Sequence, residues 1–195
     1  MTHEPPAFSD PLASELAVQP THATNLIGID PGTTKSAYIA LSVEGFISTF
    51  AIVPNEELAR WIQLDLPRRS WFGGDPVTLV IEWVSFYGRE IHAGSETFDT
   101  CRWVGRFQQA WNDDSRCVLI PRRQVRSELC GTQKAGDAEV RAMLIDRYGG
   151  KEKAIGKIKA KGPLYGIASH VWSALAVAVT LQDRLSGRTD GKIPF

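Results

Sequence analysis

The stretch Asn25-Leu26-Ile27-Gly28-Ile29-Asp30-Pro31-Gly32-Thr33-Thr34-Lys35-Ser36 constrains this chain more than any other. An apolar run ends in Asp30, Pro31-Gly32 turns the backbone, and Ala37-Tyr38-Ile39-Ala40-Leu41 sets off again as an alternating segment. Short apolar runs bounded by turn residues read as buried strands, so the stretch is a strand, a tight turn and a returning strand. Asp30 then stands at the C-terminal mouth of a central strand, where a carboxylate can hold a metal ion or a phosphate-bound cation. Asp before Pro-Gly is also good turn chemistry in its own right, so both readings stand on this stretch alone.

A second acid occupies the same kind of place. Val77-Thr78-Leu79-Val80-Ile81 is a dense β-branched run, the signature of a central strand, and it ends in Glu82. Around these two strands the chain reads in order. Residues Met1 to Thr24 carry Pro5, Pro6, Pro11 and Pro20 among small polar residues and read as a mobile tail, with one domain over 25–195. Glu44-Gly45 turns into a third strand, Phe46 to Val53, which makes three sequential antiparallel strands. Asn55 is placed to cap a helix with Leu58, Trp61, Ile62 and Leu64 inward. Pro67 ends it, and loop follows to Pro76.

Trp83 to Gly94 reads as irregular and carries Tyr87, Arg89 and His92. Ser95 to Trp111 is helical by its spacing, and Cys117-Val118-Leu119-Ile120 is a strand stopped by Pro121. Arg122-Arg123-Gln124-Val125-Arg126 reads as a basic turn. Asp137 opens a helix with Val140, Met143, Leu144 and Tyr148 inward and Gly149-Gly150 as its stop. Lys151 to Gly162 reads as mobile, and a last helix, His170 to Leu185, is apolar nearly all round.

At 195 residues with 43% hydrophobic and 23% charged residues, this is one globular domain with a real core. The formal net charge is zero, so any nucleic-acid partner must be met by local basic patches. Cys101, Cys117 and Cys130 are too scattered for a metal site or a disulfide framework and suit a reducing cytosol. No apolar run spans a membrane and no signal peptide opens the chain, so the expectation is a cytoplasmic protein with no membrane partner.

The element order is that of the ribonuclease H-like fold: an α/β domain with a mixed five-stranded sheet, three antiparallel strands plus two parallel ones, flanked by helices. The residues carry the resemblance further. Asp30 in Gly-Ile-Asp-Pro-Gly, Glu82 closing Val-Ile-Glu, and a His170-x-x-Ser173-Ala-Leu-Ala-Val-Ala helix resemble the RuvC-like Holliday-junction resolvases. Ile81-Glu82-Trp83, Gly94 to Phe107, Lys134 to Tyr148 and the Trp172-containing helix are closer still to the phage and prophage branch. The resemblance spans Asn25 to Leu185.

It implies a metal-dependent, structure-selective endonuclease that cuts branched DNA, four-way junctions above all. Two Mg²⁺ or Mn²⁺ ions roughly 4 Å apart would bridge the scissile phosphate in such a site. Asp30 would bridge the ions, Glu82 would bind one, and His170 would bind the other or act on the water. RuvC-like enzymes place a second acid three residues after the first ligand of the last helix; this chain has Ser173 there. Asp137, in Lys134-Ala-Gly-Asp, resembles an acid of the phage branch and is the candidate replacement, although it is also a good helix-start residue. The resemblance also implies a homodimer, with the Ser95 to Trp111 helix as the candidate interface, although two of its three bulky residues Trp103, Phe107 and Trp111 are expected to be core.

Lys35, Tyr87, Arg89, Arg122, Arg123, Lys134 and Arg141 flank these acids and are the candidate DNA contacts, with Lys134 and Arg141 equally able to serve as a solvated face. Two other functions compete. A non-catalytic binder of branched DNA would keep the fold and lose cutting, in line with Ser173. An actin-fold ATPase shares the Gly28-Ile29-Asp30-x-Gly32 loop, but its second domain and second phosphate loop have no room here, so no nucleotide cofactor is expected.

Overall fold

The computed structural model describes residues 24–64, 72, 76–84 and 94–187. Five strands form its central sheet in the spatial order β3-β2-β1-β4-β5. Strands β1 (Asn25–Asp30), β2 (Lys35–Leu41) and β3 (Ile47–Pro54) are antiparallel neighbours, and β4 (Val77–Trp83) and β5 (Cys117–Pro121) continue the sheet parallel to β1. This is the mixed sheet that the sequence implies.

The central strands β1 and β4 are covered on both sides, which is why they read as continuous apolar runs. Ile27, Ile29, Leu79 and Ile81 face α1 (Asn55–Gln63) and α2 (Ser95–Trp111). Leu26, Val80, Val118 and Ile120 face α3 (Arg122–Cys130), α4 (Asp137–Arg147) and α6 (Val171–Ser186). Helix α6 is buried over most of its surface, as its apolar sequence requires. It comes so close to β1 that a Cβ on Gly28 would lie 2.3 Å from the carbonyl oxygen of Ala174. The missing side chain therefore sets the depth at which α6 seats.

Several expectations are corrected. Arg122 to Arg126 is not a turn but the start of α3, which Gly131 stops in the left-handed conformation, φ 71°. Lys151 to Gly162 folds as α5 (Gly150–Ala154) and the hairpin β6 (Gly156–Lys157) and β7 (Ala160–Lys161). Gly162 packs where a Cβ would be 2.1 Å from the Lys153 carbonyl oxygen, which ties the hairpin to α5. Leu64 and Met143 are exposed rather than inward. Trp103, Phe107 and Trp111 all lie in the core under the sheet. The tail before Thr24, and Tyr87, Arg89 and His92, lie outside the described residues. Among the described residues no helix is long and apolar enough to cross a membrane.

Candidate active site

Strand register builds the centre of the site. Parallel pairing of Ile29 with Ile81 sets the next residues, Asp30 and Glu82, side by side at the sheet mouth. Alternation turns both toward α6, on the face that carries Leu26 and Val80. Both are buried, Asp30 at 8% exposure and Glu82 at 6%. The third member comes from the other end of the chain. Ser169 adopts φ 50°, a conformation uncommon outside glycine, and swings the backbone into α6. His170 follows at the helix boundary, and its Nδ1 donates a hydrogen bond to Asp30 Oδ2 at 2.9 Å.

The turn after Asp30 is held from beneath by neutral groups. Gly32 N–H donates to Ser36 Oγ at 3.2 Å, and Ser36 Oγ–H donates to Asn55 Oδ1 at 2.6 Å. Asn55 Nδ2 closes the ring by donating to the Gly32 carbonyl at 2.9 Å. Asn55 is 1% exposed and does not cap its helix; Pro54 occupies that position and the amide serves the turn instead. The sequence signal for this brace is non-local: pairing of Lys35 with Pro54 puts the residue after Pro54 against the turn before Lys35.

A row of arginines forms the opposite wall. Strands β4 and β5 end level, with Trp83 opposite Pro121, so the first residue of α3 emerges beside Glu82. Arg122 Nε lies 3.3 Å from Glu82 Oε1. Its Nη2 lies 3.4 Å from both Asp137 Oδ1 and Ser173 Oγ. Arg126 Nη2 also donates to Asp137 Oδ1, at 2.9 Å. Val125 in the core and an Arg184 Nε hydrogen bond to Glu128 at 2.9 Å fix α3 against α6.

Burial, and then the charge of Asp30, push the Glu82 carboxyl up to about 8, while Arg122 pulls the other way. Asp30 raises the Glu82 carboxyl both by its charge and by a hydrogen bond to it, so below about pH 8 and without a cation Glu82 keeps its proton. Two cavities of about 540 Å³ each adjoin it, and both are lined by Glu82, Arg122, Arg126 and His170. One extends to Asp30 and Arg123, the other to Asp137, Trp172 and Ser173.

Two hard oxygen donors pressed together in a low dielectric fit a divalent cation, which would remove the conflict that holds the proton. Among the described residues no group of three or more His, Cys, Asp or Glu side chains forms a ready metal cage. Asp137 does not join the pair, because Arg122 stands between it and Glu82.

The remaining candidates border these cavities or lie outside them. Lys35 is exposed at the start of β2, beside the Asp30 turn. The Arg141 guanidinium lies 4.8 Å over the Trp172 ring, and Lys134 is exposed in the turn before α4. Asn55, Ser36 and Ser169 are the supporting residues that motif reasoning missed.

No protein-family model matches the chain, and no curated protein matches it. Solved structures are similar, two of RuvC among them. One is Thermus thermophilus RuvC, at 21% identity and a TM-score of 0.59, with 88% of this chain and 100% of that one covered. The other is T. thermophilus RuvC in complex with a Holliday junction substrate, at 20% identity and TM-score 0.59, with 88% and 99% covered. The chain therefore has the RuvC fold.

Proposed function

We propose that this protein is a metal-dependent endonuclease that hydrolyses a phosphodiester in branched DNA, with the four-way junction as its substrate. The observation that carries this reading is the buried Asp30–Glu82 pair at the sheet mouth, with His170 on one side and the α3 arginines on the other. A carboxyl pair that burial and mutual charge drive to hold a proton is poor structural material, and its presence calls for a cation. The junction enters through the likeness to RuvC, whose complex with a Holliday junction has the same fold as this chain.

Asp30 and Glu82 would hold the ion, which supplies a Lewis acid for the phosphate and a lowered pKa for a bound water. The protein's own groups do the rest. His170, hydrogen-bonded to Asp30, fixes that carboxylate and offers its outer nitrogen to a proton of the attacking water. Arg122, Arg123 and Arg126 provide the local positive wall that a neutral chain needs in order to hold a phosphodiester. The Gly32–Ser36–Asn55 ring keeps Asp30 in place, so little reorganisation accompanies the reaction. Two copies acting across a two-fold junction would cut opposite strands, consistent with the dimer that the sequence resemblance implies.

The test is cleavage of a labelled four-way junction beside linear duplex and forked DNA, in Mg²⁺, in Mn²⁺ and in EDTA. Symmetric nicking of the junction in metal, lost in EDTA and in Asp30→Asn, is the expected result. Junction binding without cutting in either metal would transfer the protein to the non-catalytic reading.

A further inference from the structure

We propose that the guanidinium of Arg122 is a catalytic cation of this site, standing where a second divalent ion would otherwise sit, so that cleavage runs on one bound metal ion. This rests on the nuclease reading above. Arg122 is in contact with three oxygens from three elements: Glu82 Oε1 at 3.3 Å, Asp137 Oδ1 at 3.4 Å and Ser173 Oγ at 3.4 Å. An ion on the Ser173 side of the Asp30–Glu82 pair would meet the guanidinium already in contact with Glu82, Asp137 and Ser173 and would have to displace it. Ser173 contributes a neutral hydroxyl, which suits an N–H donor and does little to neutralise a divalent ion.

The local charges agree. Once a cation has displaced the proton on Glu82, Asp30, Glu82 and Asp137 carry three negative charges against the two positive charges of Arg122 and Arg126 that touch them. One divalent ion brings this group to a single positive charge, apt for a phosphodiester anion; two ions would leave a large surplus in a half-buried site. Arg122 is also built to stay. Its backbone opens α3, which Val125 and the Arg184–Glu128 pair hold against α6, while its side chain is 45% exposed and lines both cavities.

In the hydrolysis, the oxygen of one water forms a bond to phosphorus and the ester P–O bond opposite to it breaks. The water's proton passes to His170 or solvent, and the departing oxygen takes a proton back from solvent. One water is consumed and no electron changes hands. Arg122 keeps its own protons throughout, because a guanidinium does not ionise in this range. Its N–H groups, released from Asp137 and Ser173, bond the phosphate oxygens as negative charge builds on them.

The full-length protein is tested with Mn²⁺ and an intact four-way junction, with electron paramagnetic resonance separating a lone Mn²⁺ from an exchange-coupled pair. The wild type should show one lone ion per site and a cleavage rate first order in metal. Arg122→Ala should cut about 10²- to 10³-fold more slowly while circular dichroism shows it folded. Arg122→Lys keeps a charge without the fork and should fall between the two. Arg122→Ala combined with Ser173→Asp should acquire a coupled ion pair and regain cutting with a second-order dependence on metal. A coupled pair in the wild type, or wild-type cutting by Arg122→Ala, overturns the proposal and leaves the nuclease standing. A wild type that holds one ion and cuts no junction defeats the nuclease reading instead, and with it a catalytic role for Arg122.

Discussion

The two walls of the site are built on opposite principles. The inner wall, Asp30 and Glu82, sits on the ends of central strands, is nearly closed to water, and is supported by neutral hydrogen bonds from Gly32, Ser36 and Asn55. The outer wall, Arg122, Arg126 and Asp137, stands on α3 and α4, and the Asp137 side chain is 74% exposed. Ion pairs so open to solvent are weak and exchange partners easily, whereas buried groups lose much when one partner is removed. On the proposed reading the inner wall is thus preorganised for a cation, and the outer wall is free to trade Asp137 for a phosphate.

Breaking the inner wall should have the largest effect. Glu82 ordinarily ionises near 4.5, and in the folded protein at about 8. Between those values the folded state keeps a proton that the unfolded state has lost. Stability in EDTA should therefore fall as pH rises from about 4.5 to about 8 and level off above it. Asp30, His170, Arg122 and Arg126 are the charged and titratable groups that face it. Glu82→Gln should abolish cleavage yet remove that slope, being more stable than the wild type at pH 9 by on the order of a few kcal/mol, with a higher melting temperature there, and close to it at pH 4.5. Thermal melts across that range, with and without Mn²⁺, read both effects; a wild type that does not lose stability over this range contradicts the buried pair.

The brace comes next. Asn55→Ala leaves the Gly32 carbonyl without its donor and the Ser36 hydroxyl proton without its acceptor, while Ser36 Oγ still accepts from Gly32 N–H, which should cost about 2–4 kcal/mol in urea unfolding. It should also loosen the Asp30 turn, so that Mn²⁺ binds more weakly even where the protein is fully folded. A stability loss with unchanged Mn²⁺ affinity would show that the strand end alone holds Asp30.

The same division decides how much was legible in the sequence. Asp30 and Glu82 were readable because a buried strand that ends in an acid is a local signal, and parallel register then forces the two together. His170 was readable through a motif and was brought home by α6 seating on Gly28. Asn55 was misread as a cap, because its partners on the turn come from pairing across the β2–β3 hairpin, which no local pattern displays. Arg122 to Arg126 was misread as a turn because basic residues after Pro121 look like loop, while the apolar anchor of α3 is the single buried Val125.

Asp137 tests the outer wall with the smallest expected change. As a metal ligand it would be worth much of the ion's affinity. In the structure its carboxylate is taken by Arg122 and Arg126 instead, so it acts as a holder for the arginines. Asp137→Asn should then cost under about 1 kcal/mol of stability, as exposed ion pairs do, and should leave Mn²⁺ affinity unchanged. Removing a negative charge beside two guanidiniums should at the same time tighten junction binding at low salt, with the gain fading as salt screens it. Calorimetry with Mn²⁺ and junction titrations at two salt concentrations separate these effects. Weakened Mn²⁺ binding would return Asp137 to the metal, and the outer wall would then be part of the same rigid cation site as the inner one.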